Sequence, residues 1–193
     1  MKILLVNNHT QHLDSLKKEL AGHEIETQMY RPGIKFHTDD KDLVILSGGG
    51  GEGLEINDEF KPGKLWYEDQ MKFVLTSDKP IIGICMGFEV ICRAYGAKVQ
   101  KLDYLIKGFK ELKLNPDGVS YLSQKKLKQY ESHEWHVPEV SSFCLDVLAK
   151  SETGVEIVRH KTRPIFATQF HPEKGGTLNL RELMFINLSP ASS

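Results

Sequence analysis

"PIIGICMGFEVICRAYG", residues 80–96, decides the fold. Its first five residues are an apolar run of strand character. A cysteine between two glycines follows, and "FEVICRAYG" then carries helical spacing closed by Gly96. A strand that turns sharply into a helix is half of a βαβ unit. A lone cysteine is more often a buried core residue than a reactive one. The G-x-C-x-G setting of Cys85 argues for a nucleophile elbow with sulfur in place of the serine oxygen. A strained turn tolerates no bulky neighbours, and Gly83 and Gly87 are the smallest available. Helix-start N–H groups favour a thiolate there, and the N–H of Met86 is placed to face a developing oxyanion.

The pattern repeats on either side. "KILLV" (2–6) reads as a buried strand, and Leu13, Leu16, Lys17 and Leu20 as a helical stripe ended by Gly22. "EIETQMY" (24–30) alternates as a strand, "DLVILS" (42–47) is a buried strand, and 65–77 has helical spacing. This alternation predicts an α/β fold, a doubly wound and mainly parallel sheet with helices on both faces. The second half changes character. "GFKELKLN" (108–115) and "CLDVLAKSETGVEIVRH" (144–160) read as strands and a hairpin, "RPIFATQF" (163–170) as a further strand and "TLNLRELMFINL" (177–188) as a closing helix. A small antiparallel portion is therefore added to the parallel sheet. One domain over 1–193 is the expectation.

Charge and composition exclude several classes. The 193 residues carry a formal net charge of −1, so no polyanion is implied as partner and no nucleic acid is expected. No apolar stretch approaches the ~20 residues that span a bilayer, and the start is too short in apolar residues for a signal peptide. Cys85, Cys92 and Cys144 are odd in number and lack C-x-x-C spacing, so neither a disulfide framework nor a zinc site is expected, and a reducing cytoplasm is the expected location. Cys92 and Cys144 read as core, His9 and His12 as surface residues, and "QKKLKQ" (124–129) as a solvated face. His133 and His136 lack a third suitably spaced ligand, so no metal is expected.

A thiolate needs a base. "QFHPE" supplies His171 and Glu173, and Pro172 holds His171 extended. Residues two apart on an extended chain share a side, with Cα atoms about 6.6 Å apart. Glu173 can then bond one imidazole nitrogen while the other faces Cys85, the arrangement of nucleophile, base and orienting carboxylate. "SGGGGEG" (47–53) follows a strand. It has neither the P-loop nor the dinucleotide pattern, and a second oxyanion donor is its better use. These segments all fall at the carboxyl ends of strands, where open parallel sheets bind ligands.

Taken in order, "LVILSGG", "PIIGICMG", "ESHEWHV" and "PIFATQFHPE" resemble the class I, triad-type glutamine amidotransferases, whose fold is flavodoxin-like. "SHEWHV" and residues 148–173 look most like the free-standing glutaminase subunits of GMP synthase. The resemblance implies hydrolysis of the glutamine side-chain amide without a cofactor. Cys85 would be the nucleophile, His171 the base and Glu173 its orienting group. Gly49 and Met86 would supply oxyanion donors, and Glu89, Ser132, Glu134 and Trp135 would hold the amino-acid end of glutamine. A separate ATP-dependent synthetase subunit would receive the ammonia. Two positions depart from the family: Glu89 stands where Gln is usual, and no Pro follows the second glycine of the loop. "CMGFE" with "HPEK" also resembles γ-glutamyl hydrolases, which act on other γ-glutamyl compounds. A regulatory binding module is the third reading.

Overall fold

A computed structural model of the chain describes residues 1–49, 65–141 and 143–188. The glycine run beyond Gly49 and the C-terminal "SPASS" lie outside the described residues.

Among the described residues one nine-stranded sheet runs in the order β2 (Glu24–Met29), β1 (Lys2–Asn8), β3 (Leu43–Gly49), β4 (Ile81–Ile84), β9 (Ile165–Thr168), β8 (Val155–His160), β7 (Leu145–Lys150), β5 (Gln100–Leu114), β6 (Lys126–His136). β1, β2, β3, β4 and β9 pair in parallel. β8, β7, β5 and β6 continue the sheet in antiparallel pairing. The doubly wound parallel sheet is thus present, and the antiparallel strands are joined to it edge to edge.

Alternation on the central strands sends apolar side chains to both faces. Leu4 and Val6 of β1, with Val44 and Leu46 of β3, pack under α2 (Glu68–Thr76) and α3 (Met86–Ala94). Ile3, Leu5, Leu43 and Ile45 pack on the opposite face against α1 (Leu13–Glu19) and α5 (Leu180–Leu188). α4 (Pro116–Leu122) links β5 to β6. Its start follows from sequence: Asn115 accepts from the Gly118 N–H at 2.7 Å, and Pro116 occupies the first helical turn.

Two expectations are corrected here. "QKKLKQ" is solvated on one side only: Lys125, Lys126 and Lys128 are exposed, whereas Leu127 and Gln129 are buried where the segment enters β6. Its inward positions include Gln129, Glu131 and His133, so the alternation is hidden by polar side chains. Cys144 is only half-buried, because it precedes β7 instead of lying within it, whereas Cys92 is fully buried on α3.

Candidate active site

β4 ends at Ile84 and α3 starts at Met86, so Cys85 is the turn itself. Its φ of 50° and ψ of −105° lie where non-glycine residues rarely sit, at a cost of roughly 1–3 kcal/mol. Bonds on either side hold it there. The Cys85 N–H donates to Thr168 O of β9 at 2.8 Å, and the Glu89 N–H donates to Cys85 O at 3.0 Å. The flanking glycines serve a second purpose. A Cβ on Gly83 would sit 2.6 Å from Ile91 Cδ1 and 2.7 Å from Gly87 O, so α3 packs against the strand backbone.

His171 follows β9, and its N–H donates to Tyr130 O of β6 at 2.9 Å. Its Nδ1 lies 2.8 Å from Glu173 Oε1. Glu173 reaches that position from a 3-10 turn, Pro172–Lys174, and not from the extended segment that the sequence suggests. His171 Nε2 is buried and has no hydrogen-bond partner among the described residues. Gly48 marks where the two sides of the site meet. A Cβ there would lie 3.0 Å from His171 Cε1 and 3.5 Å from Cys85 Cβ. The backbone of Gly49 lies against Met86, since a Cβ on Gly49 would come 3.0 Å from Met86 Cβ.

The electrostatics of Cys85 run against the expected thiolate. Burial pushes its pKa well above the ordinary thiol value, and the carboxylates of Glu89, Glu173 and Glu131 push it further, against the Met86 N–H. Desolvation outweighs the helix start here and favours the thiol over the thiolate. Its sulfur lies 4.0 Å from Ser132 O and 4.0 Å from Gln169 Nε2.

Glu89 is buried on α3, and its Oε1 accepts from Gln169 Nε2 at 3.0 Å. Burial raises its pKa to about 7 despite that bond. Ser132 is brought beside Cys85 through its carbonyl. Glu134 and Trp135 engage Lys101 of β5 instead, Glu134 Oε2 at 3.8 Å and the Trp135 ring centroid at 5.8 Å.

The sequence reading missed three neighbours. Gln169 sits two residues before His171, a spacing that could have drawn attention to it. Tyr130 meets the His171 ring edge to face at 6.5 Å. His12, expected at the surface, packs against His171 with ring centroids 4.8 Å apart. Among the described residues no cluster of three or more His, Cys, Asp or Glu is arranged to hold a metal ion. No described helix is long and apolar enough to cross a membrane.

A buried cysteine on a strained strand-to-helix turn, beside a carboxylate-bound histidine, meets its family at this point. The model of the class-I glutamine amidotransferases matches residues 4–189, and the chain belongs to that family. Among its relatives is the glutamine-hydrolyzing GMP synthase subunit of Methanococcus vannielii, 26% identical over 182 residues that cover 91% of this chain and 89% of the relative. The corresponding GMP synthase subunit of Methanothermobacter thermautotrophicus is 28% identical over 176 residues, covering 89% and 88%. A solved structure from Thermoplasma acidophilum, named for the same GMP synthase subunit, superposes with a TM-score of 0.75 at 25% identity, covering 97% of this chain and 94% of that one. A glutamine amidotransferase structure from Thermotoga maritima shares the fold at a TM-score of 0.68 and 16% identity, covering 90% and 76%.

Proposed function

We propose that the chain is a glutaminase subunit of the GMP synthase type, which releases ammonia from glutamine for a separate ATP-dependent synthetase subunit. The observation that carries this reading is the open Nε2 of His171, whose Nδ1 is held by Glu173, on the side of the site that Cys85 shares. Nε2 takes the thiol proton as Cys85 Sγ attacks the amide carbon, and the oxyanion forms against the N–H groups of Gly49 and Met86. The imidazolium returns its proton to the departing nitrogen, and ammonia leaves a γ-glutamyl thioester. His171 then deprotonates a water, which cleaves the thioester to glutamate and restores the thiol. Burial favours the protonated sulfur, which couples attack to proton transfer, and Glu173 stabilises the imidazolium that forms. Glu89, Ser132, Glu134 and Trp135 are assigned to the amino-acid end of glutamine, Glu89 facing the α-ammonium. No step calls for a cofactor.

The carboxylate at Glu89 also favours a second reading, hydrolysis of another γ-glutamyl compound by the same thioester route. One assay compares ammonia release from glutamine with cleavage of a γ-glutamyl dipeptide, with and without candidate synthetases. Cys85→Ala should abolish whichever reaction is present and Cys92→Ala should retain most of it. Retained turnover in Cys85→Ala refutes the nucleophile assignment, and dipeptide cleavage without ammonia release from glutamine favours the second reading.

A further inference from the structure

An imidazole turns about a soft bond that one hydrogen bond does not lock. The χ2 torsion of histidine is broad and roughly two-fold. At His171 the bond from Nδ1 to Glu173 Oε1 holds one corner of the ring, and buried Nε2 has no hydrogen-bond partner among the described residues. Contact has to fix the plane. Gly48 borders the ring at Cε1, since a Cβ there would lie 3.0 Å away. His12 meets the ring edge to face, with centroids 4.8 Å apart and planes at 81°. Tyr130 meets it at 6.5 Å and 67°, and stands against His12 in turn at 6.4 Å and 86°. The three rings brace one another, and His12 is the nearer of the two to His171.

The turn between β1 and α1 is shaped to hold His12 in this place. His9 takes a φ of 63°, in the left-handed region that few non-glycine residues enter. Asn7 Oδ1 accepts from the Thr10 N–H at 3.0 Å, and Thr10 Oγ1 accepts from the His12 N–H at 3.2 Å. His12 O accepts from the Leu16 N–H at 3.0 Å, and Leu16 is fully buried. His12 thus occupies the N-cap position of α1, where Ser, Thr, Asp or Asn would bond the helix start. Its side chain makes no capping bond. The helix forgoes a cap, and the ring lies on His171 instead. The charges around His12 suit that place. Burial lowers its pKa first and the charge of His171 next, with Lys174 and Lys107 adding to this against Glu173. A neutral ring is favoured, so the imidazolium formed on His171 meets no second cation from His12.

We infer that His12 is a positioning residue of the reaction: its ring, braced by Tyr130, sets the plane of the His171 imidazole so that Nε2 is held toward Cys85. This inference rests on the reading of His171 as the base. It assigns to His12 no contact with substrate and no proton transfer.

The test is steady-state ammonia release from glutamine by the full chain and by His12→Ala, His12→Gln and His12→Phe. Ala and Gln should each lower kcat at least about ten-fold, with KM changed less than about two-fold, because the plane of the base is lost and glutamine binding is not. Phe keeps a ring that packs edge to face and should recover most of kcat. Alkylation of Cys85 by iodoacetamide, followed by mass spectrometry, gives a second readout that needs no glutamine. His12→Ala should slow it toward the rate of His171→Ala, and His12→Phe should stay near wild type. The inference is overturned by an unchanged kcat in a His12→Ala chain with wild-type circular dichroism, by a loss confined to KM, or by a Phe variant no better than Ala. If the Ala variant fails to fold, Gln against Phe decides the question. A wild-type chain that leaves glutamine intact, yet whose Cys85 alkylation depends on both His171 and His12, would refute the glutaminase reading and uphold this one. Glutamine hydrolysis that needs His171 and not His12 would do the reverse.

Discussion

Replacing Glu89 by Gln keeps the shape of a fully buried side chain and deletes its charge. Glu89 has a pKa of about 7 in the folded protein, raised by burial from an ordinary value of 4.5. In the unfolded chain the carboxyl ionises first, so stability is lost as pH rises from about 4.5 toward 7. A raised acid pKa has this sign because the native state binds more protons over that interval. The two values translate into about 3 kcal/mol of destabilisation at pH 8 and under about 1 kcal/mol at pH 5. Glu89→Gln removes that cost. It also brings an amide N–H₂ next to Gln169 Oε1, which is buried without a hydrogen-bond partner among the described residues. Urea denaturation of both forms at pH 5 and pH 8 should show the variant more stable by about 2–3 kcal/mol at pH 8, with the difference shrinking several-fold at pH 5. A variant that is equally stable at both pH values, or less stable at pH 8, would refute the assignment of a buried, part-ionised Glu89.

His171→Ala should lower turnover at least as much as Glu173→Ala, because the base is needed for both half-reactions and the carboxylate acts through it. Steady-state ammonia release compares them, and the reverse order would assign Glu173 another role. Gly83→Ala should destabilise the chain by about 3 kcal/mol through overpacking, since the new methyl meets the backbone oxygen of Gly87 as well as Ile91. A wild-type denaturation midpoint in that variant would show that α3 shifts freely on β4.

The parallel half of the sheet was legible because its strands are continuous apolar runs and its helices carry a 3.6-residue stripe. β6 was not, because its inward positions at Gln129, Glu131 and His133 are polar and resemble a surface. Cys85, His171 and Glu173 could be picked out by local backbone demands, a glycine-flanked turn and a proline-fixed histidine. The route by which Glu173 reaches His171 could not, since an extended tripeptide and a 3-10 turn both allow contact at a spacing of two. The upward push on the Cys85 pKa was out of reach for a related reason. Helix-start dipoles can be read from local sequence, whereas the burial and the carboxylates of Glu131 and Glu173 come from distant segments. His12 shows the same limit, lying 159 residues from His171 in sequence and packed against its ring.

The central claim is that Cys85 forms a covalent γ-glutamyl intermediate. Its most direct test is peptide-mapping mass spectrometry after exposure to a diazoketone analogue of glutamine, with excess glutamine as competitor. The account predicts a single adduct on Cys85, suppressed by glutamine and absent from Cys85→Ala, with Cys92 and Cys144 unlabelled. Labelling that bypasses Cys85, or that glutamine does not suppress, would contradict it.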